Sequence, residues 1–163
     1  MFYTYKGKEY PSYLKQGKAA NFVFPFAKQF CAGDGLDIGG TEESHFPGAQ
    51  IINLKVDDEF HAMNLPKKKY DFIFSSHTLE HVSDSAIEVL RYWKEHLKTN
   101  GVLFLYLPHH DMEYWLPQNN KKHKHTFGPM DIKATLKVLG FSNILWSERD
   151  LYWSFSVIGI NSA

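Results

Sequence analysis

Cysteine is nearly absent. Cys31 is the only one in 163 residues, so no disulfide forms within the chain and a small disulfide-stapled secreted fold is excluded. Long apolar runs are missing too: no stretch approaches the roughly 18 apolar residues of a membrane span, and no basic segment leads into an apolar one as in a secretory signal. The expected location is therefore cytoplasmic, away from any membrane. Neither charge is in excess, since 18 Lys and Arg balance 18 Asp and Glu. Without a net field to hold a phosphate backbone, nucleic acid is not an expected partner, and a small molecule is.

What the chain does have is apolar and aromatic weight, 44% and 16% of its residues. At this length that supports one core, so 1–163 reads as a single domain: an N-terminal arm over 1–18, a helix over 19–32 and a sheet core over 33–163. The arm, rich in Tyr, Lys and Gly without a period, reads as irregular or as a weak hairpin with little functional weight. Over 19–32, Phe22, Val23, Phe26, Ala27 and Phe30 recur at helical spacing, with Gly33 as the stop and Pro25 either kinking the helix or starting its regular part.

The core is organised around residues 70–81, where the apolar run Phe72-Ile73-Phe74 ends in Ser75-Ser76-His77-Thr78-Leu79-Glu80-His81. A buried parallel strand that delivers polar groups to one sheet edge has this form. Upstream, Gly35-Leu36-Asp37-Ile38-Gly39-Gly40 reads as a strand running into a glycine turn, where backbone can approach a ligand. The next strand is expected at 50–54. Only about eleven residues separate it from the end of the first strand, and His45-Phe46-Pro47-Gly48 breaks any helix, so the first crossover is trimmed below the usual dozen. Lys67, Lys68 and Lys69 read as a solvated turn.

Downstream, Ser85-x-x-Glu88 fits a capping box, Ala86, Leu90, Trp93 and Leu97 form a stripe, and Asn100-Gly101 ends the helix. A buried strand follows over 102–107. Residues 108–128 form a long polar and aromatic loop, a kind that usually carries function. Pro129, Ile132, Leu136, Leu139 and Gly140 mark another helix, and 143–146 with 153–160 close the chain as an antiparallel hairpin. The order is that of an α/β, doubly wound, Rossmann-like and mostly parallel sheet with an antiparallel C-terminal hairpin.

At GLDIGG (35–40), YDFIFSSHTLEHV (70–82), LKTNGVLFLYLPHHD (97–111) and HTFGPMDIKATLKVLGF (125–141) the sequence resembles the class I S-adenosylmethionine-dependent methyltransferases, in particular the small methyltransferase-11-like domains. The resemblance implies a sheet of order 3-2-1-4-5-7-6 and S-adenosylmethionine lying over the first strand ends. It implies that Asp37, Ile38, Gly39 and Gly40 form the turn beside the methionine part, that Met63, Asn64 and Leu65 meet the adenine, and that Ser75, Ser76 and His77 sit under the sulfonium. Three departures stand out: Thr41, Glu42, Glu43 and Ser44 follow Gly40 where a third glycine is usual, and Asn53 and Asn64 stand near the positions of two acids that hold the ribose and adenine. Neutral bonds there cost about 1 to 3 kcal/mol of affinity, so weakened cofactor binding is expected.

The implied reaction is methyl transfer to a small-molecule acceptor. His81 and His110 are the candidate bases, since histidine titrates near neutral pH, and Tyr114, Trp115, Gln118, Asn119 and His123 are the candidate acceptor contacts in the long loop. A second reading is a non-catalytic member of the fold that binds the cofactor weakly or acts through a protein partner. A third is a metal-dependent hydrolase, because His77-Thr78-Leu79-Glu80-His81 matches H-x-x-E-H, although that pattern needs a continuous helix where a strand end is expected. His109, His110 and Asp111 with His123 and His125 also have metal-binding side chains, but their spacing fixes no geometry, and no metal site is assigned.

Overall fold

A computed structural model describes residues 1–162. The arm is a hairpin, β1 (Phe2–Tyr5) with β2 (Lys8–Pro11), followed by a 3₁₀ turn over Ser12–Gln16. Helix α1 (Ala19–Ala27) follows, with Pro25 inside it. The main sheet comprises β3 (Gly35–Ile38), β4 (Gln50–Ile52), β5 (Tyr70–Ser76), β6 (Leu97–Pro108), β7 (Phe141–Trp146) and β8 (Ser154–Asn161). Its order is β4-β3-β5-β6-β8-β7. Strands β4, β3, β5 and β6 run parallel, and β8 is antiparallel to both β6 and β7.

Alternation along the strands splits the core between two faces. Ile73, Leu103, Leu105 and Leu107 face helices α2 (Ala86–Lys94) and α3 (Pro129–Val138), meeting Val89, Leu90, Trp93, Ile132 and Leu136. Phe72, Phe74, Phe104 and Tyr106 face the other way, against Val23 and Ala27 of α1 and Tyr10 and Leu14 of the arm. Among the described residues no helix is long and apolar enough to cross a membrane.

The trimmed crossover is present: no helix joins Ile38 to Gln50. Three expectations need correction. The sheet has six strands, so the outermost strand of the implied order is missing, and residues 53–69 form turns instead. Helix α2 ends at Lys94, and Leu97 opens β6; Asn100, with φ of 65°, lies in a kink of that strand where its register with β5 shifts. Ser85 precedes α2 without a side-chain capping bond, so the capping box does not form.

Candidate functional site

The glycine turn at the end of β3 is built from its neighbours. Gly39 has φ of +93°, and a Cβ there would stand 1.8 Å from Thr78 Oγ1, so only glycine lets the β5 end close over the turn. Its N–H donates to the Ile52 carbonyl at 2.8 Å, and the Gly40 carbonyl accepts the Asn53 amide at 3.0 Å. The buried Asp37 carboxylate accepts the Phe46 N–H at 2.7 Å, bracing the loop that stands in for the crossover helix. Burial pushes its pKa up to about 7, against the pull of the Phe46 and Gly40 N–H groups and of His45.

Above this turn lies a cavity of about 290 Å³, close to the lower bound of roughly 300 Å³ for small-molecule sites. The β3 end contributes Asp37, Gly39, Gly40, Thr41 and Ser44, and the β5 end contributes Ser76 and His77. Leu14, Gly17, Lys18, Ala19 and Ala20 wall it from the arm and the start of α1, and Trp115 and Tyr152 complete it. Lys18 is the one Lys or Arg among these; its Nζ lies 3.6 Å from the Glu43 carboxylate.

His77 sits in left-handed backbone, φ 49°, where β5 breaks off. Such strain in a non-glycine residue persists where the surroundings enforce it. Its N–H donates to the Tyr106 carbonyl, and its ring meets Trp115 edge-on at 5.1 Å. Nε2 lies 2.8 Å from the Ser154 hydroxyl, which itself donates to the Tyr152 carbonyl. Ser154 therefore accepts, Nε2 carries the proton and Nδ1 is left with the lone pair. Burial pulls the ring pKa down to about 3, helped by His123 and His81, so the imidazole is neutral.

Of the residues expected at the cofactor, Asp37, Gly39, Gly40, Ser76 and His77 line the cavity. The others are spent elsewhere. Ile38 is core, and the Ser75 hydroxyl donates to the Ile38 carbonyl at 2.9 Å, pinning β5 to β3. Asn53 uses both ends of its amide, on Gly40 and on the Lys55 N–H. Asn64 donates to the Glu59 carbonyl and closes a tight turn with His61, while Met63 and Leu65 pack on the core, the Leu65 N–H donating to the Tyr92 hydroxyl.

In the long loop, Trp115 alone of the expected acceptor contacts reaches the cavity. Tyr114 packs edge-on against Tyr5 on the outer side, Gln118 is exposed, and Asn119 bonds Lys6 and the Glu113 carbonyl. His123 is buried beside His81. Neither candidate base reaches the cavity. His81 holds the Lys122 carbonyl through Nδ1 at 2.7 Å, and His110 stacks on His109 at the surface. The reason is local: after the break at His77, Leu79–His81 form a single 3₁₀ turn, so no helix carries both histidines of H-x-x-E-H.

The arm, read as functionally light, supplies a whole wall together with the α1 start. Lys18 precedes α1 in left-handed backbone, φ 59°, without a side-chain capping bond, so no capping residue marks this start. That this start would fold over the β3 end follows from distant bonds, such as the Tyr152 hydroxyl donating to the Gly17 carbonyl at 2.7 Å.

Residues 15–145 match the model of a family described as a methyltransferase domain. Solved structures share the fold. A SAM-dependent methyltransferase from Archaeoglobus fulgidus superposes with a TM-score of 0.62 at 17% identity, over 90% of this chain and 94% of that one. A Thermotoga maritima protein, described as a SAM-dependent methyltransferase and possible histamine N-methyltransferase, gives 0.66 at 16% identity, over 91% of each chain. Human N-acetylserotonin methyltransferase in complex with SAM gives 0.57 at 14% identity, over 80% of this chain and 48% of that one. No curated protein matches by sequence.

Proposed function

The chain belongs to the methyltransferase domain family, and on that premise we propose that it transfers a methyl group from S-adenosylmethionine to a small-molecule acceptor. The observation that carries this reading is the cavity at the C-terminal ends of β3 and β5, where the glycine turn, the α1 N-terminus and Lys18 converge.

The lining fits the methionine end of that cofactor. Gly40 offers bare backbone, Asp37 turns its carboxylate inward to Phe46, and Glu42 and Glu43 do not line the cavity. Lys18 and the first turn of α1 place positive potential where a methionine carboxylate would be held. When bound, the cofactor supplies an electrophilic methyl group on a sulfonium. The chain then has to align the nucleophile and exclude water. Trp115 provides an apolar wall for the acceptor, and His77, neutral and with Nδ1 unprotonated, orients the acceptor by accepting its hydrogen bond. A nitrogen this weakly basic positions a nucleophile better than it stores a proton.

The test is incubation with methyl-labelled S-adenosylmethionine and a fractionated small-molecule extract, with label expected in a low-mass product. One observation favours the second reading, a non-catalytic binder: Asn53 and Asn64, where the family's acids stand, both bond within the chain. Cofactor binding without label transfer to any pool would establish that reading instead.

A further inference from the structure

Beside the cofactor cavity, the fold brings His123 of the long loop onto the neighbouring pair Glu80 and His81. Glu80 is fully buried in the 3₁₀ turn after β5, and neither of its carboxylate oxygens has a hydrogen-bond partner among the described residues. His123 comes in from the long loop, also buried, with its Nδ1 unpartnered. His81 completes the group at the solvent side. One ligand atom from each of the three lies within 4.8 Å of the others. A buried carboxyl without a partner costs far more than an ordinary unmade bond, so three coordinating groups turned toward one another call for an occupant.

We propose that Glu80, His81 and His123 form a binding site for a divalent transition metal of the zinc type. Three observations support this beyond proximity. His81 Nε2 stands 3.4 Å from Glu80 Oε1 without forming a hydrogen bond to it; ligands held about 2.1 Å from one tetrahedral ion are separated by about 3.4 Å. His81 Nδ1 meets the Lys122 carbonyl at 2.7 Å, so it donates and leaves Nε2 with the lone pair, the outer hydrogen bond that metal-bound histidines make. The His123 ring meets that of His81 edge-on at 4.6 Å, with its own Nδ1 free.

Two imidazoles and one carboxylate suit zinc or cobalt over magnesium or calcium, which take oxygen ligands. Three protein ligands leave a fourth position, and the cluster opens to solvent at His81, which is 39% exposed. The ion would tie the β5 end to the long loop, where the Glu80 carbonyl already accepts the Lys124 and His125 N–H groups. A second group, His109, His110 and Asp111, is consecutive in sequence and mostly exposed, with none of its atoms among the buried unpartnered ones.

The test uses the whole chain, purified without a histidine tag and stripped with chelator. It is titrated with Zn²⁺ by calorimetry and with Co²⁺ by visible absorption. One ion per chain with tetrahedral-type cobalt bands is expected, with no comparable uptake of Mg²⁺. Glu80→Gln and His123→Asn should each weaken binding about a hundredfold or more, beyond the usual loss of an outer partner. Should either fail to fold by circular dichroism, His81→Asn at the exposed corner serves in its place. Absence of stoichiometric binding would overturn the proposal, as would binding that survives these changes and is lost on Asp111→Asn. Neither result depends on the cofactor cavity.

Discussion

The Nε2 of His77 donates to the hydroxyl of Ser154 at 2.8 Å, joining the break after β5 to the first residue of β8. The chain of bonds continues from Ser154 to the Tyr152 carbonyl, and from the Tyr152 hydroxyl to the Gly17 carbonyl beside Lys18. One relay thus fixes the imidazole tautomer and holds the arm wall in place. Ser154→Ala leaves a buried N–H without an acceptor, and the loss of stability should be about 1 to 3 kcal/mol in denaturant titration. Nitrogen NMR should show the His77 ring exchanging between tautomers in the variant and fixed with Nε2 protonated in the parent. A parent ring protonated on Nδ1 would refute the assignment.

Gly39→Ala should be destabilising by about 2 to 4 kcal/mol, from left-handed backbone together with the overlap on Thr78. Adding Thr78→Ala should recover part of the loss, because Oγ1 makes the closest contact. Equal melting temperatures for the single and double variants would show that the clash is not what the glycine avoids.

Lys18→Gln should weaken S-adenosylmethionine and S-adenosylhomocysteine alike by about tenfold, roughly 1.4 kcal/mol, since both carry the methionine-type carboxylate. The parent affinity should fall with added salt more steeply than that of the variant. Identical affinities would place the carboxylate elsewhere.

Asp37 gives a pH dependence of defined sign. Its folded pKa is raised from 3.8 to about 7, so its contribution to stability is present below pH 3.8 and is lost as pH rises through about 7. Asp37→Asn cannot ionise. Relative to that variant, the parent should lose up to about 4 kcal/mol between those limits, read from denaturant titrations at several pH values. Parallel pH profiles for the two proteins would mean that Asp37 stays ionised in the fold.

Local pattern made much of this legible. Phe72-Ile73-Phe74 running into Ser75, and Asp37-Ile38 running into Gly39-Gly40, are strand-to-turn signals that depend on neighbours in sequence, and both meet at the cavity. Leu97 fitted the helical stripe of α2, yet it pairs opposite Tyr70 in the sheet, where tertiary pairing outweighed period. Asn53 and Asn64 stood in the right stretches, but nothing in the sequence reveals which backbone groups claim an amide. The approach of Lys18 to the glycine turn, and of His123 to Glu80, depends on how the arm and the long loop fold back, which no periodicity encodes.

The central claim, that the cavity between the glycine turn and Lys18 holds S-adenosylmethionine, is tested most directly by isothermal titration of the purified chain with S-adenosylmethionine and, separately, S-adenosylhomocysteine. The account predicts one site per chain with micromolar affinity for either ligand, weakened by Lys18→Gln. No heat, and no thermal shift at millimolar ligand, would contradict it.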